Sequence, residues 1–183
     1  LDSAEVHATL ADALRGQTLV VGTSRHPGRL RRNIRTPRAM AAGLMPLLGR
    51  NKVSIVFGNE VNGLENDDLK LCSEIVAIPS SDRFPSLNLS HAVMVIAYEL
   101  FLEARAPGEK ADAELAAHED LELFYAHLQR TLVTVGFLDP EQPDRMMFSL
   151  RQLFGRARPD TRDVQVLRGI LHAFEAACKR PNF

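Results

Sequence analysis

The chain has 183 residues, 45% of them apolar, with 22 basic and 23 acidic side chains for a net charge of −1. That length buries one good core with room for a small second module. The charge excludes a polycation and an acidic tail, and no apolar run reaches the ~18–20 residues of a membrane span. Two cysteines more than a hundred positions apart, Cys72 and Cys178, build neither a disulfide framework nor a thiolate zinc site. They fit a reducing, cytoplasmic setting. No signal-peptide pattern opens the chain, and residue 1 is Leu.

In chain order, residues 3–14 place Val6, Leu10, Ala13 and Leu14 on one face and predict an amphipathic helix. TLVVG (18–22) predicts a short buried strand. The run TSRHPGRLRRNIR has no apolar period and holds Pro27 and Gly28, so it reads as a loop. Thr36-Pro37 opens a helix to about Leu48, with a hydroxyl cap and proline at the first helical position. VSIVF (53–57) is a second strand closed by Gly58, a short helix covers 66–72, and EIVAI (74–78) is a third strand stopped by Pro79. A polar loop (80–87) and a long helix (88–104) follow. Alternating strands and helices predict a parallel sheet with helices on both faces, and the unbroken apolar strands agree with burial on both sides.

The segment APGEKADAE (106–114) breaks this pattern, and beyond it come three helical stretches, about 117–135, 143–154 and 161–179, with no strand. The expected organisation is an α/β domain over 1–105, a linker over 106–116 and an all-helical extension over 117–183.

Charge is segregated along the chain. Between Ala13 and Asn59 there are nine basic residues and no acidic one; from Glu60 to Glu122 there are 14 acidic and four basic. Arginine predominates in the first stretch, and its planar fork suits phosphate. A nucleic-acid partner and a merely solvated loop both remain open on this ground.

In an open parallel sheet, ligands sit beyond the carboxyl ends of the strands. The three ends here are Gly22-Thr23-Ser24, Gly58-Asn59-Glu60 and Pro79-Ser80-Ser81. Glycine lets backbone approach a ligand, and small polar groups supply contacts; the plainer reading is that Gly22 and Gly58 only make tight turns. Glu60 is the one carboxylate at a strand end, placed to orient a hydroxyl or a positive group. Gly58 and Gly63 have phosphate-loop spacing, but no Lys-Ser/Thr follows. The six histidines lack metal-ligand spacing, His91 reads as structural, Cys72 as a core thiol, and no serine elbow is present. Composition and spacing therefore yield a small-ligand α/β domain with a basic loop, and name no reaction.

Two stretches, IVFGNEVNGLENDDL (55–69) and IVAIPSSDRFPSLNLSHAVMVIAYEL (75–100), resemble the second and third motifs of the SPOUT RNA 2′-O-methyltransferases, TrmH-like branch. FYAHLQRTLVTVGFL (124–138) and SLRQLFGRARPDTRDVQVLRGILHAF (149–174) resemble the C-terminal extension of a branch that methylates the tRNA anticodon loop. The resemblance implies a SPOUT-like fold with a C-terminal trefoil knot, an exception to the usual absence of knots. It implies S-adenosylmethionine as cofactor, tRNA as partner and a homodimer to which the helix 88–104 contributes. By motif position the cofactor would meet Thr23, Ser24, Arg25, Gly58, Ile78, Ser86, Leu87 and Asn88. Glu60, Ser86 and Asn88 are the catalytic candidates, in positioning rather than general-base roles. The RNA backbone would be held by Arg25, Arg29, Arg31, Arg32 and Arg35.

The family's first motif, an Asn and an Arg, has no counterpart here, and a strand–helix–strand segment of at least ~30 residues is expected to precede Leu1. Two other readings stand beside the tRNA enzyme. One is a ribosomal RNA 2′-O-methyltransferase; the other is a catalytically inactive RNA-binding dimer that retains the cofactor cleft.

Overall fold

The fold is taken from a computed structural model, which describes residues 3–25, 34–81, 83, 87–106 and 114–178. Three parallel strands, β1 (Leu19–Thr23), β2 (Val53–Val56) and β3 (Glu74–Val76), form a sheet in the order β2-β1-β3. Leu19 registers with Val53 and Gly22 with Val56 on one side of β1; Gly22 registers with Ile75 and Thr23 with Val76 on the other. β1 is thus central, and its first four residues are all buried. An unbroken apolar run is what a strand covered on both faces requires.

The period-2 alternation of a strand sorts its side chains between the two faces. Leu19, Val21 and Val76 face a core with Met40, Ala41 and Leu44 of α2 (Pro37–Leu44), Leu47, and Ile96 of α4 (Leu89–Ala104). On the opposite face Val20 meets Leu14 and Cys72, while Ile75 meets Leu69 of α3 (Asn66–Lys70) and Phe148 of α6 (Asp144–Ala157). Helices therefore cover both faces, as expected. α2 starts where the sequence places it: Thr36 Oγ1 accepts the Ala39 amide, and Pro37 occupies the first helical position. It tightens into a 3-10 turn over Met45–Leu47.

The first helix differs from expectation. Only Leu10–Ala13 (α1) is helical, not 3–14. Val6 is 99% exposed, so the upstream turns bury nothing, and so short a helix does not pay for its nucleation without packing. Thr9 caps the turn that does form.

A second core joins α5 (His118–Thr134), α6 and α7 (Thr161–Cys178) around Phe124, Tyr125, Leu128, Met147, Val164 and Leu171. The chain crosses between cores at two adjacent residues, Leu115 in the first and Ala116 in the second. Asn51 holds this crossing by accepting the Leu115 amide at 2.8 Å.

The three C-terminal helices are seated on the sheet by polar contacts. Arg151 forks onto Glu122, reaches the Lys70 carbonyl and stacks over Tyr125. Lys70 pairs with Asp144 at 2.8 Å. Gly155 brings α6 so close that a Cβ there would stand 2.4 Å from the Ser73 carbonyl oxygen. Arg158, in the left-handed conformation at φ 50, sends Nε to Glu74 at 2.7 Å and Nη1 to the Gly43 carbonyl at 2.8 Å. No described helix is long and apolar enough to cross a membrane.

Candidate active site at the strand ends

The carboxyl ends of the three strands open onto one cleft of about 280 Å³. Its walls come from Thr23–Arg25 after β1, from 57–64 after β2, from Val76 and Ile78 at β3, and from Leu87, Leu89 and Ala92 at the start of α4. Strand order explains this convergence. The chain leaves β1 for β2 on one side, then crosses to β3 on the other, which makes a topological switch point at β1.

The loop after β2 is built by Asn59. Its Oδ1 accepts the amides of Val61 (3.0 Å) and Asn62 (2.7 Å), and its carbonyl accepts the Gly63 amide at 2.9 Å. Gly63 takes the left-handed φ of +72 that closes the turn. The loop folds directly onto Gly58, where a Cβ would lie 1.9 Å from the Gly63 carbonyl carbon. Gly58 is thus required by a close backbone approach. Gly22 has another role: it lies inside β1, pressed on Cys72, and does not line the cleft. Burial pushes the Cys72 thiol up to about 12, so it stays protonated as a core group.

The expected site residues fall into four groups. Thr23, Ser24, Arg25, Gly58, Glu60, Ile78 and Leu87 line the cleft together. Thr23 Oγ1 donates to the Val56 carbonyl at 3.0 Å, tying β1 to β2 at the mouth, and Glu60 stands exposed at the rim. Asn88 is adjacent but employed otherwise: its Oδ1 caps α4, accepting the Ser90 amide at 2.9 Å and the Ser90 hydroxyl at 2.7 Å. Replacing Asn88 by alanine is expected to cost about 1 kcal/mol of stability in a denaturant titration, as for other lost caps. Ser86, Arg29, Arg31 and Arg32 lie outside the described residues.

Arg35 departs from its expected place among RNA-binding arginines. Its backbone bridges to Val76 beside β3, and its Nε stands 3.1 Å from the buried Glu74 carboxylate. An internal counter-charge holds it to the sheet edge. Of the cleft lining, the sequence singles out neither Phe57 nor Leu64, and it names Asn59 and Gly63 only as part of a strand end and of a glycine spacing, not as the builders of the loop. Asn59 carried a usable signal, since an Asn between two glycines at a strand end readily caps a turn.

Sequence comparison bears on the same residues. The profile of the SpoU rRNA Methylase family matches residues 2–98, a span that holds all three strands and the cleft. The chain belongs to the SpoU methylase family. Residues 119–183 match the C-terminal domain of the tRNA methyltransferase TrmJ. The chain is 41% identical over 184 residues to tRNA (cytidine/uridine/adenosine-2′-O-)-methyltransferase TrmJ of Pseudomonas aeruginosa, covering 93% of this chain and 72% of that protein. It is 40% identical over 181 residues to tRNA (cytidine/uridine-2′-O-)-methyltransferase TrmJ of Salmonella typhimurium, covering 96% and 74%. The crystal structure of TrmJ from Z. mobilis superposes with a TM-score of 0.77 at 30% identity, covering 95% of this chain and 75% of that one. As a SpoU methylase the protein needs a methyl donor.

Proposed function

We propose that the protein is an S-adenosylmethionine-dependent tRNA methyltransferase that modifies a ribose 2′-hydroxyl in the anticodon loop. The observation that carries this reading is the single cleft into which all three strand ends open, within the segment matched by the methylase profile. The cleft fits an adenosyl group. Phe57, Leu64, Val76 and Ile78 offer apolar wall for a base, the Gly58–Gly63 approach lays bare backbone beside it, and Thr23, Ser24 and Glu60 supply polar contacts. When bound, the sulfonium supplies an electrophilic methyl group. The protein then has to hold the 2′-hydroxyl in line with it and assist its deprotonation. Glu60 and Ser86 are assigned the orientation of that hydroxyl, and Asn88 acts by fixing the start of α4. Since only RNA has a 2′-hydroxyl, the substrate class follows from the chemistry.

The same reading divides the chain into a methylase unit (1–105), a linker (106–116) and a helical extension (117–183), acting in the cytoplasm where tRNA is found. The same reading includes the trefoil knot of the family, and the packing of α4 onto α2 is consistent with it. A homodimer is favoured by α4 itself. Ile96 is its only buried residue, while Val93, Met94, Tyr98, Phe101 and Leu102 stay exposed on it. A monomer rarely leaves so much apolar surface on one helix.

The test is transfer of labelled methyl from S-adenosylmethionine to unmodified tRNA and, separately, to ribosomal RNA, with the site mapped by resistance to alkaline cleavage. Label in the tRNA anticodon loop supports the proposal. Label confined to ribosomal RNA replaces it with the ribosomal reading, and tRNA binding without transfer replaces it with the inactive binder. Replacing Arg29, Arg31 and Arg32 together by alanine is expected to weaken tRNA binding about tenfold or more and to flatten its salt dependence, since each lost phosphate contact lowers the salt slope by about one. S-adenosylmethionine binding, measured by calorimetry on the same variant, is expected to be unchanged.

A further inference from the structure

Far from the cleft, α5 and α7 bring together one group of side chains that the methylase reading leaves without work. His127 on α5 is 4% exposed and places Nε2 3.1 Å from Glu175 Oε1 on α7. One turn before Glu175, His172 holds Nδ1 3.9 Å from the other carboxylate oxygen. The two imidazole rings lie at 53° to each other with centroids 4.5 Å apart. One ligand atom from each of the three residues lies within 4.8 Å of the others, and no other such group occurs among the described residues.

We propose that His127, His172 and Glu175 form a divalent transition-metal site, suited to Zn²⁺, that bolts α5 to α7. Two imidazole nitrogens and one carboxylate oxygen are a donor set zinc accepts, with bonds of about 2.0–2.2 Å. Around a tetrahedral ion such donors stand ~3.3 Å apart. The present spacings therefore need only small rotamer adjustments, chiefly of His172. Its side chain is 65% exposed and so adjusts easily. The i, i+3 pair on α7 facing a single ligand on the neighbouring helix is how helical bundles build metal sites.

The surroundings agree with this assignment. Thr131 Oγ1 donates to Glu175 Oε1 at 3.0 Å and orients the carboxylate from behind. Arg130, whose Nε lies 3.6 Å from the same oxygen on a 65% exposed side chain, is the cation the metal would displace outward. Since both helices belong to one packed core, the role is structural.

The experiment uses the untagged full chain, stripped with chelator and titrated with ZnCl₂ by calorimetry. Co²⁺ absorption reports coordination geometry independently. The expected result is one ion per chain with micromolar or tighter affinity, intense visible Co²⁺ bands and a raised melting temperature. His172→Ala, which removes an exposed ligand and should leave metal-free melting unchanged, is expected to weaken binding about tenfold or more and abolish the bands. Absence of binding, millimolar binding, or a smaller loss in His172→Ala overturns the proposal. These outcomes are independent of methyl transfer, so the site stands or falls apart from the enzymatic reading.

Discussion

Gly58→Ala is expected to abolish S-adenosylmethionine binding while leaving the fold in place. The new methyl would sit 1.9 Å from the Gly63 carbonyl carbon and 2.1 Å from the Leu64 amide nitrogen. Both are backbone atoms of a loop held by Asn59 and by the left-handed Gly63. No side chain can swing aside, so the whole 59–64 loop must retreat by more than an ångström. That loop forms one wall of the cleft. A displacement of ~1 Å at a reacting geometry costs about 10²-fold in rate, and methyl transfer should fall by at least that much. Because the sheet core lies elsewhere, the thermal transition should remain cooperative. Gly22→Ala is the instructive control: its Cβ would meet the Cys72 Sγ at 2.6 Å, inside the core and away from the cleft. It should lower stability more than cofactor affinity. Calorimetric titration of both variants decides the matter, and Gly58→Ala binding as tightly as the parent would refute the account of the loop.

How much of this was legible in the sequence depends on the reach of each interaction. The strands were readable because burial on both faces leaves unbroken apolar runs, and α2 because Thr36-Pro37 is a local start signal. The cleft was readable because strand ends share one location whatever the loops contain. By contrast, Asn88 is a catalytic candidate by motif position and its observed contacts are those of a helix cap; an Asn two residues before Ser90 serves either purpose, so the cap is not legible in the sequence. By composition Arg35 belongs with the loop arginines. What sets it apart is Glu74, 39 positions downstream and buried, which no local pattern links to it. The seating of α6 on β3 was illegible for the same reason: Arg158 and Glu74 are 84 residues apart. The length of α1 failed differently, since its apolar period is real but Val6 has nothing to pack against.

The largest expected effect on stability follows from that distant pair. Glu74 is 3% exposed and lies between two arginines. Arg158 approaches one carboxylate oxygen with Nε at 2.7 Å and Nη2 at 2.6 Å, and Arg35 approaches the other at 3.1 Å. Glu74 Oε2 and Arg158 Nη2 meet their charged partners without aligned hydrogen bonds, so charge contributes more here than directional bonding. Gly43 makes the space: a Cβ there would meet Arg35 Nη1 at 2.7 Å and Arg158 Nη2 at 3.2 Å. Arg158 also holds a left-handed backbone that costs a non-glycine residue roughly 1–2 kcal/mol, a strain that persists only because Glu74 and the Gly43 carbonyl fix its side chain. Glu74→Ala would leave Arg158, 18% exposed, and the more exposed Arg35 beside each other without a counter-charge. Breaking a buried pair from one side costs about 3–5 kcal/mol, a large share of a domain's net stability. The expected result is a strongly lowered denaturation midpoint, with α6 and α7 losing amide protection together because Arg158 links them to the sheet. Glu74→Leu combined with Arg158→Met removes the buried carboxylate and the more buried of its two guanidinium partners, leaves only the 35% exposed Arg35, which can turn to water, and should recover much of the loss, because an apolar replacement has no desolvation penalty to offset. A double variant as unstable as Glu74→Ala would show that shape at this junction, and not charge, holds the C-terminal helices to the sheet.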